Sequence, residues 1–232
     1  MKAIAAGVML VSGSGLVAMV SQRSQPTEFT QAFPLAQCTF SVTGRTSHFV
    51  LEPGHTLVLE DKKGVRLAIT VLNETENVGG VTTRVVEERQ TERGALIEVS
   101  RNYFAICGEN KSVFYFGEAV DNYKDGKIIS HDGSWRHGTN GATAGLMMPA
   151  LPLLGSRYYQ EVAPNVAMDR AEITATDARL QTPHSVHTHV LETRESTPLE
   201  PGVSELKAYA PGIGLVRDAD LLLVSLKKAA TR

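Results

Sequence analysis

Regularly spaced turn formers are the feature that most limits how this chain can fold. From His48 onward, short runs rich in Gly, Asn, Asp and Pro recur at fairly even intervals: EPG at 52–54, DKKG at 61–64, NVGG at 77–80, RG at 93–94, GENK at 108–111, KDG at 124–126 and HDG at 131–133. Gly, Asn and Asp tolerate the left-handed backbone conformations that tight turns need, and Pro fixes the backbone at their first corner. The spacing therefore predicts a series of β-hairpins.

Between these turns, apolar and polar residues alternate. In VRLAITVL the side chains of Val65, Leu67, Ile69 and Val71 fall on one face of a strand. The segments ALIEVSRNYF, VFYFGEA, and ELKAY followed by IGLV repeat the pattern, and no long window shows a helical stripe. We therefore predict an all-β fold, an antiparallel meander forming an incomplete β-barrel or a two-sheet sandwich.

The N-terminus has the layout of an export signal. Residues 3–20 carry no charge, follow Lys2 directly, and precede the polar run SQRSQPTEFTQ. We predict a signal peptide or an uncleaved N-terminal anchor over residues 1–22, then a linker and first strand over 23–46, and a single all-β domain over 47–227. The expected location is periplasmic or secreted, with membrane contact only through the N-terminal segment.

Charge and cysteine content narrow the function classes. The net charge of −2 and isoelectric point of about 6.4 offer no basic surface for a nucleic-acid backbone, so a nucleic-acid partner is not expected. Cys38 and Cys107 are the only cysteines. In an exported chain they can form a disulfide that closes a long loop, or they can remain as two buried thiols.

One apolar segment interrupts the hairpin rhythm. Residues 138–156 read GTNGATAGLMMPALPLLGS, a stretch rich in Gly, Ala and Pro that also carries large apolar side chains. Such a loop is expected either to plug one end of the sheet or to form an adaptable lid over a ligand cavity. Trp135 is expected to pack in the core or at its rim, or to stack on a sugar. The candidate ligand-binding residues are Trp135, Leu146, Met147, Met148 and Leu151.

A histidine-rich run offers a second kind of site. The stretch TPHSVHTHVLET, residues 182–193, has the spacing H-x-x-H-x-H. On a continuous strand, His187 and His189 share one face and can converge on zinc, whereas His184 points to the other face. The third ligand is open among His131, His137, Asp169 and Glu172. The competing interpretation puts His187 and His189 on a solvated face, opposite a buried face formed by Val186, Thr188 and Val190.

No catalytic motif is recognisable. The chain lacks a nucleotide-binding loop, a zinc-protease helix motif and a nucleophile elbow. Glu161, Asp169 and Glu172 are close in sequence, but Arg157 and Arg170 are nearby, which favours surface ion pairs or turn contacts over paired catalytic carboxyls. We therefore predict that the protein is not an enzyme and needs no cofactor, zinc being the ion of the alternative function.

Four segments, which cover roughly residues 47–226, are considered together: HFVLEPGHTLVLED, SVFYFGEAVDNYKDGKIISHDGSW, RYYQEVAPNVAMDRAEI and TPLEPGVSELKAYAPGIGLV. Together they resemble an uncharacterised family of exported bacterial β-rich proteins that end in a YAPGxGLV motif. The family is similar to lipoprotein-carrier-like domains of unknown function, which implies an incomplete barrel with an apolar interior. This chain departs from the family's T-P-x-G-x-F pattern at Thr182, where the histidines stand.

These observations lead to one prediction of function and one alternative. The chain is expected to be an exported cell-envelope protein that binds a hydrophobic ligand, such as a lipid or another hydrophobic small molecule, or an envelope partner, without catalysis. The alternative is a metal-binding envelope protein that uses His187 and His189 to hold zinc.

Overall fold

Residues 28–230 are described by a computed structural model of the chain. The apolar run at residues 3–20 and the predicted boundary after residue 22 lie outside the described residues, so their role stays a prediction. Within 28–230 there is one short 3-10 helix, Leu35–Gln37, and no α-helix. The prediction of an all-β chain is confirmed.

The described residues form strands that range from 2 to 14 residues in length. In chain order the strands are β1 (Phe40–Ser41), β2 (Gly44–Arg45), β3 (Val50–Leu51), β4 (Thr56–Glu60), β5 (Val65–Val78), β6 (Val81–Glu92), β7 (Ala95–Cys107), β8 (Val113–Lys124), β9 (Lys127–Ser130), β10 (Trp135–Arg136), β11 (Thr143–Met148), β12 (Arg157–Tyr159), β13 (Glu161–Val162), β14 (Arg170–Gln181), β15 (Val186–Ser196), β16 (Ser204–Ala210), β17 (Gly214–Asp218) and β18 (Leu221–Lys227).

Almost all of these strands belong to one antiparallel sheet that curves into a nearly closed barrel. Its order is β12-β14-β15-β16-β17-β18-β4-β5-β6-β7-β8-β11-β13, and β2 and β3 form a separate two-stranded sheet. Strands β4 to β8 are joined by consecutive hairpins, as are β14 to β18. The two meanders meet where β18 pairs with β4. Of the two predicted architectures, the incomplete barrel is the one adopted.

The remaining gap in the barrel is a seam beside β11. Strand β12 pairs with β14, whereas β13, one residue further along the chain, pairs with β11. The segment 157–162 therefore contacts both ends of the sheet. At Gly145 of β11 a side-chain carbon would collide with the backbone of Gln160 and would lie 2.6 Å from the carbonyl oxygen of Tyr159. Only glycine allows the two backbones to approach this closely.

The predicted hairpins and alternating faces are present from β4 to β8. Gly64, Gly94 and Gly126 have positive φ angles of 94°, 85° and 73°, as tight turns between antiparallel strands require. In β5 the side chains of Leu67 and Val71 are buried while their neighbours are more exposed. Local turn chemistry and period-two patterning thus specify this half of the barrel.

Apolar side chains pack on both faces of the sheet. The larger cluster fills part of the barrel interior, and a second cluster lies on the opposite face of β6 to β8 beneath the segment 33–40. Phe40 makes edge contacts with Phe116 at 5.1 Å between ring centroids. Cys38 and Cys107 form a disulfide beside β1. Pairing is therefore the alternative that the structure supports, and it attaches the N-terminal segment to β7.

The apolar segment 138–156 is not one loop, as both predicted roles for it assumed. Residues Thr143–Met148 form β11, which pairs with β8 because that strand offers its free edge. Beyond β11 the chain is exposed: Leu151, Leu153 and Leu154 expose 75%, 60% and 70% of their surface. These leucines neither plug the barrel nor cover a cavity.

Candidate functional site

Polar side chains line a large part of the barrel interior, on strands whose inward face is apolar elsewhere. In β6 the inward face is apolar at Val86 and polar at Glu88, and in β16 it is polar at Lys207 and apolar at Tyr209. Strands β7, β8 and β15 show the same division. We call the resulting group the polar cluster; its members are Glu88, Glu98, Ser100, Asn102, Tyr115, Glu118, Tyr158, Gln160, Glu161, Asp169, Thr193, Glu195, Lys207, Tyr209 and Asp218.

Glu195 is the hydrogen-bonding centre of this cluster. Its Oε1 accepts bonds from Gln160 Nε2 at 3.1 Å, from Thr193 Oγ1 at 3.3 Å and from the Tyr209 hydroxyl at 3.3 Å. Its Oε2 lies 3.2 Å from Lys207 Nζ. Several donors on one carboxylate replace the water that it loses on burial. The arrangement holds Glu195 in one position.

Lys207 connects Glu195 to a second carboxylate. Its Nζ lies 3.7 Å from Asp218 Oδ1. Burial alone would lower the pKa of Lys207, but attraction to Asp218 and Glu195 outweighs it and raises the pKa well above its ordinary value. Lys207 therefore stays charged, and within the described polar cluster it is the only basic side chain.

The carboxyl groups without a basic partner keep their protons to unusually high pH. Burial raises the pKa of Glu88 to about 7 and that of Glu118 to about 8. Burial, followed by repulsion from Asp169, raises the pKa of Glu161 well above its usual range. Burial also raises the pKa of Glu98. At pH 7 Glu118 is therefore mostly uncharged.

Tyr115 hydrogen-bonds to a neighbouring amide within the cluster. Asn102 Nδ2 donates to Ser100 Oγ at 3.2 Å, so Asn102 Oδ1 faces the Tyr115 hydroxyl and accepts its proton at 2.6 Å. Glu118 lies near the same phenol group. Interaction with Tyr115 lowers the pKa of Glu118, but the larger effect of burial raises it.

A cavity of about 290 Å³ lies beside this part of the cluster. Its walls come from β8, β10, the turn before β11 and the loop 163–166, and Glu118 and Trp135 face each other in register across β8 and β10. The indole ring packs edge-on against Tyr115, with 5.2 Å between centroids. Trp135 is buried, and its Nε1–H has no hydrogen-bond partner among residues 28–230. We call this space the Trp135 cavity.

A smaller cavity of about 90 Å³ lies between the apolar core and the polar cluster. Apolar walls from Leu57, Ile69 and Phe104 meet charged groups from Glu88 and Lys207. An apolar protein cavity that accepts benzene measures about 150 Å³. This space is thus too small for an acyl chain, and the barrel interior is largely filled.

The predicted ligand-binding residues do not form one site. Trp135 lines the Trp135 cavity and Met147 lines the smaller one. Leu146 is half-buried, Met148 is fully buried in the core, and Leu151 projects into solvent. Strand alternation separates Met147 from its neighbours, since successive side chains point to opposite faces.

The two candidate zinc ligands lie in different environments, so the prediction of a shared face is wrong. His189 has a positive φ of 54°, which interrupts the alternation of β15. His187 is buried and its Nε2 lies 3.0 Å from Thr182 Oγ1, while His189 is exposed and its Nδ1 lies 2.7 Å from Asp177. His184 stacks on His187 with parallel rings 6.1 Å apart, although it was expected on the opposite face.

The competing interpretation of this strand also fails in part. Val186 exposes 44% of its surface and Thr188 is exposed, so only Val190 of the predicted buried face is buried. Between residues 28 and 230, the one group of three His, Cys, Asp or Glu side chains whose donor atoms converge is Cys38, Cys107 and Glu109, and its two sulfurs are bonded to each other.

The acidic residues that were predicted to form surface contacts lie in two different environments. Glu172 forms the predicted ion pair with Arg157, at 2.8 Å. Glu161 is instead buried, and its Oε1 accepts a hydrogen bond from the Asp169 backbone at 3.0 Å. The prediction of a surface contact is therefore wrong for Glu161, because β13 turns inward to pair with β11.

Sequence reasoning missed most of the polar cluster. The available signal was the register of each face: in VVEERQ, Glu88 lies two residues after the apolar Val86 and therefore points the same way. Lys207 lies two residues before Tyr209 and therefore also points the same way as its partly apolar neighbour. Charged residues on an otherwise apolar face can indicate either a polar interior or the end of a buried face, and pairing partners decide between them.

Among the described residues, no helix is long and apolar enough to span a membrane. The chain was also compared with known proteins, and no family model, curated protein or solved structure matches it.

Proposed function

We propose that this chain is an exported, non-enzymatic binding protein that holds a small amphipathic ligand in the Trp135 cavity. The observation that carries the proposal is the buried Trp135, which lines a cavity and whose Nε1–H has no partner within the described structure. An indole nitrogen is a donor only, and leaving a buried donor unpaired costs about 1–3 kcal/mol. A ligand with a hydrogen-bond acceptor would remove that cost.

Size and charge define the ligand class more narrowly. The cavity, at about 290 Å³, is near the lower limit of about 300 Å³ for ligand sites. Ala142, Ala163 and Val166 supply apolar contacts. Glu118, whose pKa is about 8, is mostly uncharged at pH 7 and does not demand a cationic partner. We therefore favour a compact neutral molecule with an apolar ring or branch and one acceptor oxygen over a long-chain lipid.

The cell-envelope location belongs to the same proposal. The uncharged run at residues 3–20 after Lys2 supports export. The disulfide between Cys38 and Cys107 supports an oxidising compartment such as the periplasm or the exterior. The resemblance to lipoprotein-carrier-like domains stays a prediction. Zinc binding by His187 and His189 is not favoured, since the two rings have different partners.

The test compares two probes of similar shape. Cyclohexanone offers an apolar ring and a carbonyl acceptor, whereas methylenecyclohexane offers the ring alone. Ligand-observed NMR titration should give a roughly five-fold tighter Kd for cyclohexanone, the equivalent of about 1 kcal/mol for one hydrogen bond. In Trp135→Phe, which keeps an aromatic ring but removes the N–H, that preference should disappear.

A matched pair of surface variants tests the location. Val166 lines the cavity mouth and is 45% exposed, and Val186 is 44% exposed on a different strand. Val166→Trp should block binding of both probes, and Val186→Trp should leave it unchanged. If neither probe binds the unmodified protein, or if both valine variants behave alike, the proposal fails.

A further inference from the structure

A buried arginine lies beside a bulge in β5. Between the pairs Val71–Val86 and Thr75–Arg84, residues 72–74 of β5 lie opposite a single residue of β6. A bulge of this kind leaves backbone groups outside the hydrogen-bond ladder. The Arg84 side chain packs against these groups, and only 6% of the residue is exposed.

Backbone carbonyls occupy two of the three guanidinium nitrogens of Arg84. Its Nε donates to the Val42 carbonyl at 2.8 Å, and its Nη1 donates to the carbonyls of Leu72 and Glu74 at 3.4 Å and 3.2 Å. Its Nη2 has no hydrogen-bond partner among residues 28–230 and is not one of the fully buried atoms. Nη2 therefore has two N–H groups to offer to a further acceptor.

The carbonyl oxygens satisfy N–H groups of Arg84 but do not neutralise its charge. Lys207 in the polar cluster has two carboxylate partners, whereas Arg84 forms no ion pair with any residue of the described chain. Burial lowers the pKa of Arg84, and no carboxylate offsets that effect. Because buried charges in proteins are usually paired, Arg84 is suited to pair with an anion from outside the chain.

Arg84 lines a cavity of about 480 Å³, which we call the Arg84 cavity. This volume lies within the range of about 300–1,000 Å³ for small-molecule sites. Pro53, Ala229 and Ala230 supply apolar surface, and Asn73 in the β5 bulge forms part of the wall. Nη2 is the one nitrogen of Arg84 that is not already directed to a carbonyl, so it is the group that can bind a molecule in this cavity.

The charged side chains around the Arg84 cavity leave one net positive charge. Arg45 and Glu52 also line the cavity, and they pair with each other, with Arg45 Nε 2.8 Å from Glu52 Oε1. Their charges cancel, so the net charge is that of Arg84. An anion with one negative charge matches this charge, whereas a dianion such as phosphate would keep an unpaired charge near Glu52.

We propose that the Arg84 cavity binds a small organic anion with a single carboxylate group. The carboxylate accepts hydrogen bonds from Arg84 Nη2, and the apolar part of the anion lies against Pro53, Ala229 and Ala230. Hydrogen bonds from a guanidinium to a carboxylate are about twice as strong as those between neutral groups. The Arg84 cavity shares no lining residue with the Trp135 cavity, so this site is independent of the ligand proposed there.

The experiment compares 4-fluorobenzoate with 4-fluorobenzamide, which has nearly the same shape but no charge. Fluorine NMR titration of the full chain measures both dissociation constants, in a Val166→Trp parent so that neither probe enters the Trp135 cavity. We expect 4-fluorobenzoate to bind about ten-fold more tightly, and Arg84→Met to remove this preference. If the parent binds neither probe, or binds both equally, the proposal is wrong.

A matched pair of asparagine variants tests the location without disturbing the carbonyl bonds of Arg84. Asn73 and Asn77 are both exposed on β5, and only Asn73 lines the Arg84 cavity. Asn73→Trp should weaken binding of 4-fluorobenzoate about ten-fold by filling the cavity, and Asn77→Trp should leave it unchanged. Equal effects of the two variants would overturn the proposal even if Arg84→Met does not fold.

Glu52→Gln distinguishes an anion site from an arginine that only supports the bulge. The variant removes the one carboxylate of the cavity wall and leaves Arg45 without its partner. Binding of 4-fluorobenzoate should therefore become about three-fold tighter, while binding of 4-fluorobenzamide should not change. Unchanged or weaker binding of 4-fluorobenzoate would count against the proposal.

Discussion

The two walls of the barrel interior differ in their side chains: one wall is apolar and the other is partly polar. On β4 and on the first half of β5, up to Val71, the inward residues are apolar, as in Leu59 opposite Leu67. On β15 and β16 they become polar, as in Thr193 opposite Lys207. Apolar groups need only contact, whereas each polar group needs a partner.

Unpaired atoms are concentrated on the polar side. The described residues contain four buried side-chain polar atoms without partners, and three of them, Trp135 Nε1, Tyr158 OH and Gln160 Oε1, lie in or beside the polar cluster. The fourth is His48 Nδ1. The apolar wall therefore supplies stability. The polar wall retains hydrogen-bonding groups without partners, and a binding site requires such groups.

The largest effect is expected on the apolar wall. Leu59 is fully buried, so Leu59→Ala should lower the free energy of unfolding by about 4 kcal/mol, through lost transfer energy and a new cavity. Urea denaturation monitored by circular dichroism measures this. Leu206→Ala, at a partly exposed position, is the control and should cost under about 1 kcal/mol. Similar losses in both variants would contradict the assignment of stability to this wall.

On the polar wall, removal of the Lys207 charge should lower the free energy of unfolding slightly less than Leu59→Ala does. Lys207→Met leaves Glu195 and Asp218 without their cation, and we expect a loss of about 3 kcal/mol, at the lower end for buried pairs because a quarter of the Lys207 side chain is exposed. The triple variant Lys207→Met, Glu195→Gln, Asp218→Asn should recover most of that loss in the same urea assay. A triple variant as unstable as Lys207→Met would show that charge pairing is not the cause.

The polar wall should also make stability depend on pH. A buried carboxyl with a raised pKa binds its proton more tightly in the native than in the unfolded state, so its contribution is complete below about pH 4.5 and is lost as pH rises through the folded pKa. For Glu118 that pKa is about 8. Between pH 6.5 and 8.5 the protein should therefore lose about 2 kcal/mol of stability that Glu118→Gln does not lose.

The quantity to measure is the difference in stability between the parent and Glu118→Gln at each pH. Buried histidines also make stability depend on pH, but they destabilise the native state as pH falls. Burial lowers the pKa of His55, His137 and His187, so their contribution is lost as pH falls below about 6.5. Subtracting the Glu118→Gln urea midpoints from those of the parent at each pH removes this term. A difference that is flat from pH 5 to 8.5 would contradict the high pKa of Glu118.

The smallest effect is expected for a charge pair outside the barrel. His189 and Asp177 are both about three-quarters exposed, so His189→Ala should change the free energy of unfolding by no more than about 0.5 kcal/mol. The same urea assay with His187→Ala provides the contrast, because His187 is buried and bonded to Thr182. A large effect at His189 would indicate that the exposed pair contributes as the buried pairs do.

Prediction from sequence succeeded where structure depends on neighbours in the chain. The hairpin at Gly94 and the buried face of Leu67 and Val71 follow from turn chemistry and alternation within a few residues. Prediction failed where a distant partner decides. Residues 143–148 lack the composition of a strand, and they form one because β8 offers an edge.

The site was less predictable than the fold for the same reason. Trp135 was identified, but Glu118 gains its high pKa from burial against strands far away in sequence, and Lys207 gains its role from Glu195 on β15. The histidine site failed because the left-handed backbone at His189 leaves no mark in an H-x-H spacing. Alternation assumes an unbroken strand, and one irregular residue reverses every side chain beyond it.

The close contact at Gly145 has a consequence for self-assembly. Because its lack of a side chain lets the segment 157–162 cover both β11 and the end of the sheet at β14, neither edge is offered to a second molecule. A sheet edge with unpaired backbone groups is a template for intermolecular strand addition. Gly145→Ala would push this segment away and leave two long-lived edges in each molecule, so we expect that variant to form fibrillar aggregates at concentrations where the parent stays monodisperse.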